Sequence, residues 1–336
     1  MVFRNRTNLA CCILAISVLL ISAPSAGAQG LFGVGLPGMP SLGGYLGGPA
    51  GCGEKVFPKG ALEAYVGYME SGRGMSISYE TRGLQTPGGF DSGLHRFSSR
   101  GVWFGLADSV WLTENLGFLA SGWILLPSTT QSREQYNRAN SERTWDADPK
   151  WWFVDGLFAA QVPGGFSLLA GLRYDYFSIK FKNPFNSSAF FVNPNATADA
   201  IAENWIPLVG TQFSMGGSYG NVLVRVVGFP VLLGNVKYKL YVGNAAPTFA
   251  EDVRGNWNNG YFLEVFAEYS KKFGAGSVGI FARWNGTEGK STADLTEGTT
   301  AQAFLGDRSF DLNVTRTMWT VGGSFGLDFN LPMLGY

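Results

Sequence analysis

The chain has 336 residues, with 25 Lys+Arg against 25 Asp+Glu, one His and three Cys. Its charged fraction is 15% where soluble domains carry about 25%, and its 47 glycines are about twice ordinary usage. Zero net charge gives no long-range pull toward nucleic acid, 46% hydrophobic content excludes a disordered chain, and glycine without a three-residue period excludes collagen.

Residues 1–28 read as a cleaved secretory signal, with Arg4 and Arg6 as a basic head, an apolar stretch from Leu9 to Ile21, and Ala26-Gly27-Ala28 as a small-x-small cleavage motif. That stretch is shorter than the ~20 residues of a spanning helix. Cys11 and Cys12 leave with the signal, so Cys52 stands alone in the mature chain and no intramolecular disulfide is expected. Residues 29–55 are dominated by Gly, Pro and Leu without a period, a composition expected to form a flexible leader.

Residues 56–336 contain no stretch approaching 18 uninterrupted apolar residues, which leaves a closed β-barrel as the membrane-spanning option. Strands that face lipid on one side and a lumen on the other alternate apolar with polar. In 166–177, Phe166, Leu168, Ala170, Leu172, Tyr174 and Tyr176 share a face opposite Ser167, Arg173 and Asp175. In 261–270, Tyr261, Leu263, Val265, Ala267 and Tyr269 oppose Glu264 and Glu268, and in 278–284 Val278, Ile280, Ala282 and Trp284 oppose Arg283. The stretch 319–329 repeats the pattern with Trp319, Val321, Phe325, Leu327 and Phe329.

Weaker segments are 61–69 (Leu62, Ala64, Val66 and Tyr68 outward), 99–112, 115–126, 151–162, 205–215 and 221–242. Asp108 falls on an apolar parity that a uniform strand aims at lipid, unless a local bulge shifts the register there. Residues 222–242 contain Pro230 and Gly234-Asn235, and form either one strand running far above the membrane or two strands with a turn.

Tight turns at 113–115, 162–165, 216–220 and 274–276 alternate with long polar connections at 70–98, 127–149, 178–204, 243–259 and 286–315. This is the rhythm of an antiparallel up-and-down barrel with short periplasmic turns and long extracellular loops. The count is about ten strands, with periplasmic termini and a periplasmic leader; twelve is the alternative if 75–81 and 236–242 are separate spans. Trp111, Trp151, Trp152, Tyr174, Tyr176, Trp205, Tyr261, Tyr269, Trp284 and Trp319 read as interfacial girdles.

The stretch Thr320 to Phe329 (TVGGSFGLDF) resembles the C-terminal β-signal of Gram-negative outer-membrane barrels, carried by Gly322, Phe325, Leu327 and Phe329. The resemblance implies location in the cell outer membrane among lipid and lipopolysaccharide, and handling by the barrel assembly machinery. It is to a superfamily and to no specific family.

With His95 as the single His and Cys52 as the single mature Cys, no His/Cys metal cluster can be built. His95 is placed in the first long loop as a solvated side chain, without a nucleophile elbow or paired aspartates, so no enzyme is expected. By strand number the omptin proteases are the nearest enzyme analogy. No cofactor is expected: Gly43-Gly44 and Gly88-Gly89 lack a Lys-Ser/Thr sequel, and Glu142, Asp146 and Asp148 read as a solvated acidic loop.

What remains are lumen-parity charges: Glu63, Asp155, Arg173, Asp175, Arg225, Lys237, Lys239, Glu264, Glu268 and Arg283. Charges facing hydrocarbon cost ~2–4 kcal/mol at midplane, which accounts for their confinement to one face. The leading expectation is a narrow, porin-like passage for small solutes lined by these groups; the alternative is a sealed structural barrel with extracellular binding loops.

Overall fold

The computed structural model describes residues 59–71, 75–82, 92–136, 141–162, 164–186, 197–242, 249–297 and 309–330. The expected signal and leader, Cys52 and the residues after Asn330 lie outside them.

Among the described residues every regular element is an antiparallel strand. The strands are β1 (Lys59–Glu70), β2 (Met75–Arg82), β3 (Ser92–Phe97), β4 (Arg100–Trp111), β5 (Leu116–Leu125), β6 (Thr130–Tyr136), β7 (Ser141–Val162) and β8 (Phe166–Asn186). They continue with β9 (Thr197–Gly217), β10 (Gly220–Phe229), β11 (Leu233–Val242), β12 (Phe249–Asn256), β13 (Asn259–Phe273), β14 (Gly276–Glu297) and β15 (Ser309–Asn330).

Pairing joins the shorter pieces end to end. β1 and β2 both lie along β15, β4 and β3 lie along β1 and β2, and β5 and β6 lie along β4 and β3. β10 and β11 both lie along β9, while β13 and β12 both lie along β14. The result is a closed antiparallel barrel of ten staves, sealed where β1 meets β15 from Lys59↔Asn330 to Glu70↔Trp319. Closure leaves no sheet edge, which is why a barrel satisfies its backbone in lipid.

The tight turns fall where the sequence places them, Gly164, Gly165 and Gly274 with φ of 89°, 81° and 66° supplying the left-handed conformations. The expected long connections do not. Most of 70–98, 127–149, 178–204, 243–259 and 286–315 is strand, and the pieces 75–81 and 236–242 are upper lengths of existing staves. The reason is an inversion of polarity along each stave. In β8, Leu168 and Leu172 point outward and Arg173 and Asp175 inward; beyond Tyr176, Phe177, Ile179 and Phe181 point inward with 1%, 1% and 0% exposure while Lys180 and Lys182 face out. A stave leaving hydrocarbon for water exchanges which face is apolar, and a search for lipid-facing alternation stops at the crossing.

Two further corrections concern the wall. No bulge occurs at Asp108: β4 pairs without a shift, and Asp108 stays on the outward face opposite Leu62 and Ala120, near the tight-turn end of its strand. A charge there costs far less than at mid-bilayer. Trp111 and Trp151 point into the lumen, whereas Trp152, Tyr174, Tyr176, Trp205, Tyr261, Tyr269, Trp284 and Trp319 are on the outer face.

Five staves are interrupted: between Glu70 and Met75, at 98–99, at 126–129, at 230–232 and at 257–258; β7, β8, β9, β14 and β15 run through. At the first three breaks Ser71 N donates to Ser99 O at 3.0 Å and Leu126 N to Val102 O at 2.9 Å.

The seam at β1 and β15 relies on Gly322, where a Cβ would stand 2.1 Å from the Val66 oxygen and 2.8 Å from the Phe281 ring; beside it, a Cβ on Gly323 would meet nothing nearer than the Gly279 oxygen at 3.7 Å. Gly322→Val is expected to abolish the heat-dependent gel shift of folded barrels, and Gly323→Val to leave it intact.

Candidate functional site in the lumen

Inward side chains stack in layers. Nearest the tight turns is an apolar floor that includes Trp111, Leu119, Leu157 and Leu169. Next to it, Glu63 and Tyr65 on β1, Glu268 on β13 and Ser324 on β15 form a polar cluster. The Tyr65 hydroxyl donates to Glu63 and stands 3.1 Å from Glu268 Oε2, and the Ser324 hydroxyl donates to the other oxygen of Glu268. A cavity of about 40 Å³ adjoins it, bordered by Glu63, Tyr65, Ser109, Ser121, Asp155 and Arg225. That is room for ordered water and no larger solute.

At the centre, Glu264 is 0% exposed and meets three guanidinium groups. Arg173 Nη1 donates at 2.8 Å, Arg283 Nε at 3.0 Å, and Arg225 Nη2 lies at 3.4 Å. Arg173 also donates to Asp155 from Nε at 3.1 Å, and the Ser121 hydroxyl donates to the same carboxylate at 2.6 Å. The guanidinium planes are held between rings: Arg173 Cζ is 4.2 Å from the Phe153 centroid and 4.6 Å from that of Phe262, and Arg283 is 4.3 Å from Phe153 and 4.8 Å from Trp123. Ring faces attract cations, and the rings also exclude the water that would screen the ion pairs.

Above this, Asp175 accepts from Arg316, Trp151 and Asn204, and Arg316 stacks on Trp151 at 4.6 Å and Phe177 at 5.1 Å. Higher still, Trp103 Nε1 donates to Met69 Sδ at 2.9 Å, and His95 is enclosed by Tyr238, Glu134 and Phe181. Its Nε2 is 2.8 Å from the Tyr238 hydroxyl and 3.3 Å from Glu134, and its ring stacks on Phe181 at 4.4 Å.

Eight of the sequence-derived lumen residues, Glu63, Asp155, Arg173, Asp175, Arg225, Glu264, Glu268 and Arg283, thus converge on two adjoining clusters and a third above them. Lys237 does not join them. Inward positions on β10 are odd-numbered (Leu223, Arg225, Val227), but after the break at Pro230 they are even-numbered (Leu232, Val236, Tyr238), so Lys237 faces outward. The side chain of Lys239 lies outside the described residues. His95 is a correction of the same kind: it sits on β3, points inward and is 0% exposed. Arg316, Tyr65, Glu134 and Tyr238 were missed: Arg316 borders a stretch read as loop, Tyr65 falls on the inward parity of 61–69 but carries no charge to single it out, and Glu134 and Tyr238 lie beyond the lipid belt, where an aromatic or acidic residue carries no parity signal.

No protein-family model matches the chain, and no curated protein does. Among solved structures, the outer-membrane protease OmpT of Escherichia coli superposes with a TM-score of 0.62 at 12% identity, covering 82% of this chain and 99% of that one. The toluene transporter TodX of P. putida gives 0.33 at 9% identity, covering 81% and 90%. The first likeness shows the fold, a closed antiparallel β-barrel; the second is too remote to bear on the argument.

Removing one member of a buried ion cluster leaves the others uncompensated, at about 3–5 kcal/mol. Glu264→Ala is therefore expected to lower the unfolding free energy in detergent by about that amount, and Glu288→Ala, on the outer face beside Lys290, by less than about 1 kcal/mol.

Proposed function

We propose that the protein is an outer-membrane barrel sealed by its own side chains, acting through its outer wall and extracellular rim rather than as a solute conduit. One observation carries this reading: Arg173, Arg283, Glu264 and Asp155 meet across the middle of the lumen at 2%, 1%, 0% and 7% exposure. Aromatic layers lie on either side of them. Barrels of about this size are filled by side chains, while wide aqueous channels need 16 or more strands. A porin-like passage through the same residues requires this network to part, which exposes several charges to one another without partners.

The reading is non-enzymatic. His95, the only histidine, is enclosed by Phe181, Trp145 and Tyr238 and is 0% exposed. Localisation in the cell outer membrane is supported by the OmpT-like fold together with the signal-like residues 1–28. The even number of staves puts both ends of the barrel on one side, read as periplasmic. Gly322, Phe325, Leu327 and Phe329 lie on the closing strand β15, where Phe325 and Leu327 face outward as an assembly-machinery signal would. Lipid and lipopolysaccharide are the expected surroundings.

Conductance in planar bilayers tests this. The folded wild-type protein is expected to stay silent, and the double variant Arg173→Ala, Glu264→Ala to show discrete openings. Stepwise openings in the wild type would establish the passage instead.

A further inference from the structure

The parity change at Pro230 that takes Lys237 out of the lumen puts it on the outer wall, above a weak place in that wall. β10 and β13 pair as far as Phe229↔Phe262, whereas β11 and β12 begin pairing at Asn235↔Asn256. Between these rows the two staves are joined by a bond from Trp257 N to Gly234 O at 3.1 Å. Just below, Gly228 occupies an outward position between Val209 on β9 and Leu263 on β13, and presents no side chain to fill it. The result is an apolar groove of about 420 Å³ edged by Val209, Val226, Gly228, Pro230, Tyr261 and Leu263.

Strand register gives the outward lattice above this groove. One row reads Val154, Tyr174, Trp205, Leu233; the next reads Trp152, Tyr176, Glu203, Asn235; the next reads Lys150, Ser178, Ile201, Lys237. The lower two rows enclose a second groove of about 540 Å³ that includes Trp152, Tyr174, Trp205 and Glu203. Their rings pack at 5.3 Å (Trp152–Tyr174) and 4.8 Å (Tyr174–Trp205), and Asn235 Nδ2 donates to Glu203 at 3.4 Å.

Dimensions and charge identify what fits. From Lys237 to Gly228 the wall runs about 30 Å along the strand, or about 23 Å of depth at a ~40° tilt, close to the ~20–22 Å of one leaflet with its head groups. Lys150 and Lys237 are three strand spacings apart, about 14 Å. A head bracketed by two cations, with aromatic faces, a hydroxyl and a carboxylate between them, suits a sugar unit bearing a phosphate at each end. Glu203 and Ser178 accept or share its hydroxyl protons, Trp152 and Trp205 stack on ring carbons, and acyl chains descend over Gly228.

We propose that this face docks a bis-phosphorylated acyl glycolipid of the outer leaflet, its phosphates on Lys150 and Lys237 and a chain in the groove at Gly228. The proposal rests on the outer-membrane reading above and is independent of whether the lumen is sealed.

The test is native mass spectrometry of the full-length protein in detergent, titrated with bis-phosphorylated lipid A, mono-phosphorylated lipid A and phosphatidylethanolamine, with folding checked by the heat-dependent gel shift. Expected are saturable one-to-one binding of the bis-phosphorylated lipid, about tenfold weaker binding of the mono-phosphorylated form, and weaker binding still of phosphatidylethanolamine. The double variant Lys150→Ala, Lys237→Ala should erase the difference between the first two, while Lys290→Ala should keep it. Val226→Phe fills the groove and should weaken all three, while Val102→Phe, exposed on β4 across the barrel, should not. Equal binding of the three lipids by the wild type, a double variant that behaves like Lys290→Ala, or a lipid-free mass of two chains would each overturn the proposal. Conductance of the same double variant stays silent under the sealed-barrel reading, so openings there count against that reading alone.

Discussion

A carboxylate gripped by guanidinium groups in the dry centre of a cylinder is the constraint from which the rest of this structure follows. Glu264 is wholly buried on β13, and its arginines come from β8, β10 and β14. Desolvating such charges costs several kcal/mol each and is offset only when every partner is in place. Staves far apart in the sequence are thus bound to one register, since a slip of one residue would turn each arginine toward hydrocarbon. The same need for dryness explains the rings on either side. Phe153 lies against both Arg173 and Arg283, so one ring screens two cations from water.

The network also divides labour between the two faces of the wall. Inside, charge is neutralised locally and solvent is excluded, which leaves little for a passing solute to bind. Outside, the belt from Leu168 to Tyr174 on β8 answers to lipid, and the upper wall from Lys180 onward answers to water. The side chains left accessible to other molecules, aromatics and lysines among them, are those of the outer surface.

How much of this the sequence reveals depends on where lipid ends. Within the belt, two-residue alternation of segments such as 166–177 and 261–270 names the inward charges correctly, because hydrocarbon penalises a charge on the wrong face. Past the belt that penalty vanishes. Phe177, Ile179 and Phe181 alternate as regularly as Leu168, Ala170 and Leu172, but with the opposite meaning, so the upper staves read as loops and His95 as a solvated side chain. The fate of Lys237 illustrates a second limit. Its spacing from Arg225 is even, and parity alone puts them together; the residue that separates them is Pro230, which cannot donate a ladder bond and so lets the count slip. The sequence flags that proline as a break without saying which way the strand resumes. Nor does any pattern announce that Arg316 and Asp175, far apart along the chain, meet.

The interruptions of the staves have a mechanical meaning. Above the breaks at 98–99 and 126–129, β2, β3 and β6 form a three-strand panel whose outer members are bonded to β15 and β7, both of which run the full height of the barrel. Along their own axes the panel's strands are joined to β4 and β5 only by the short links 98–99 and 126–129, but the panel is sewn in at its sides. Force pulling it away from the membrane is therefore shared between those links and the two unbroken columns, and the panel behaves as a pane held by its frame.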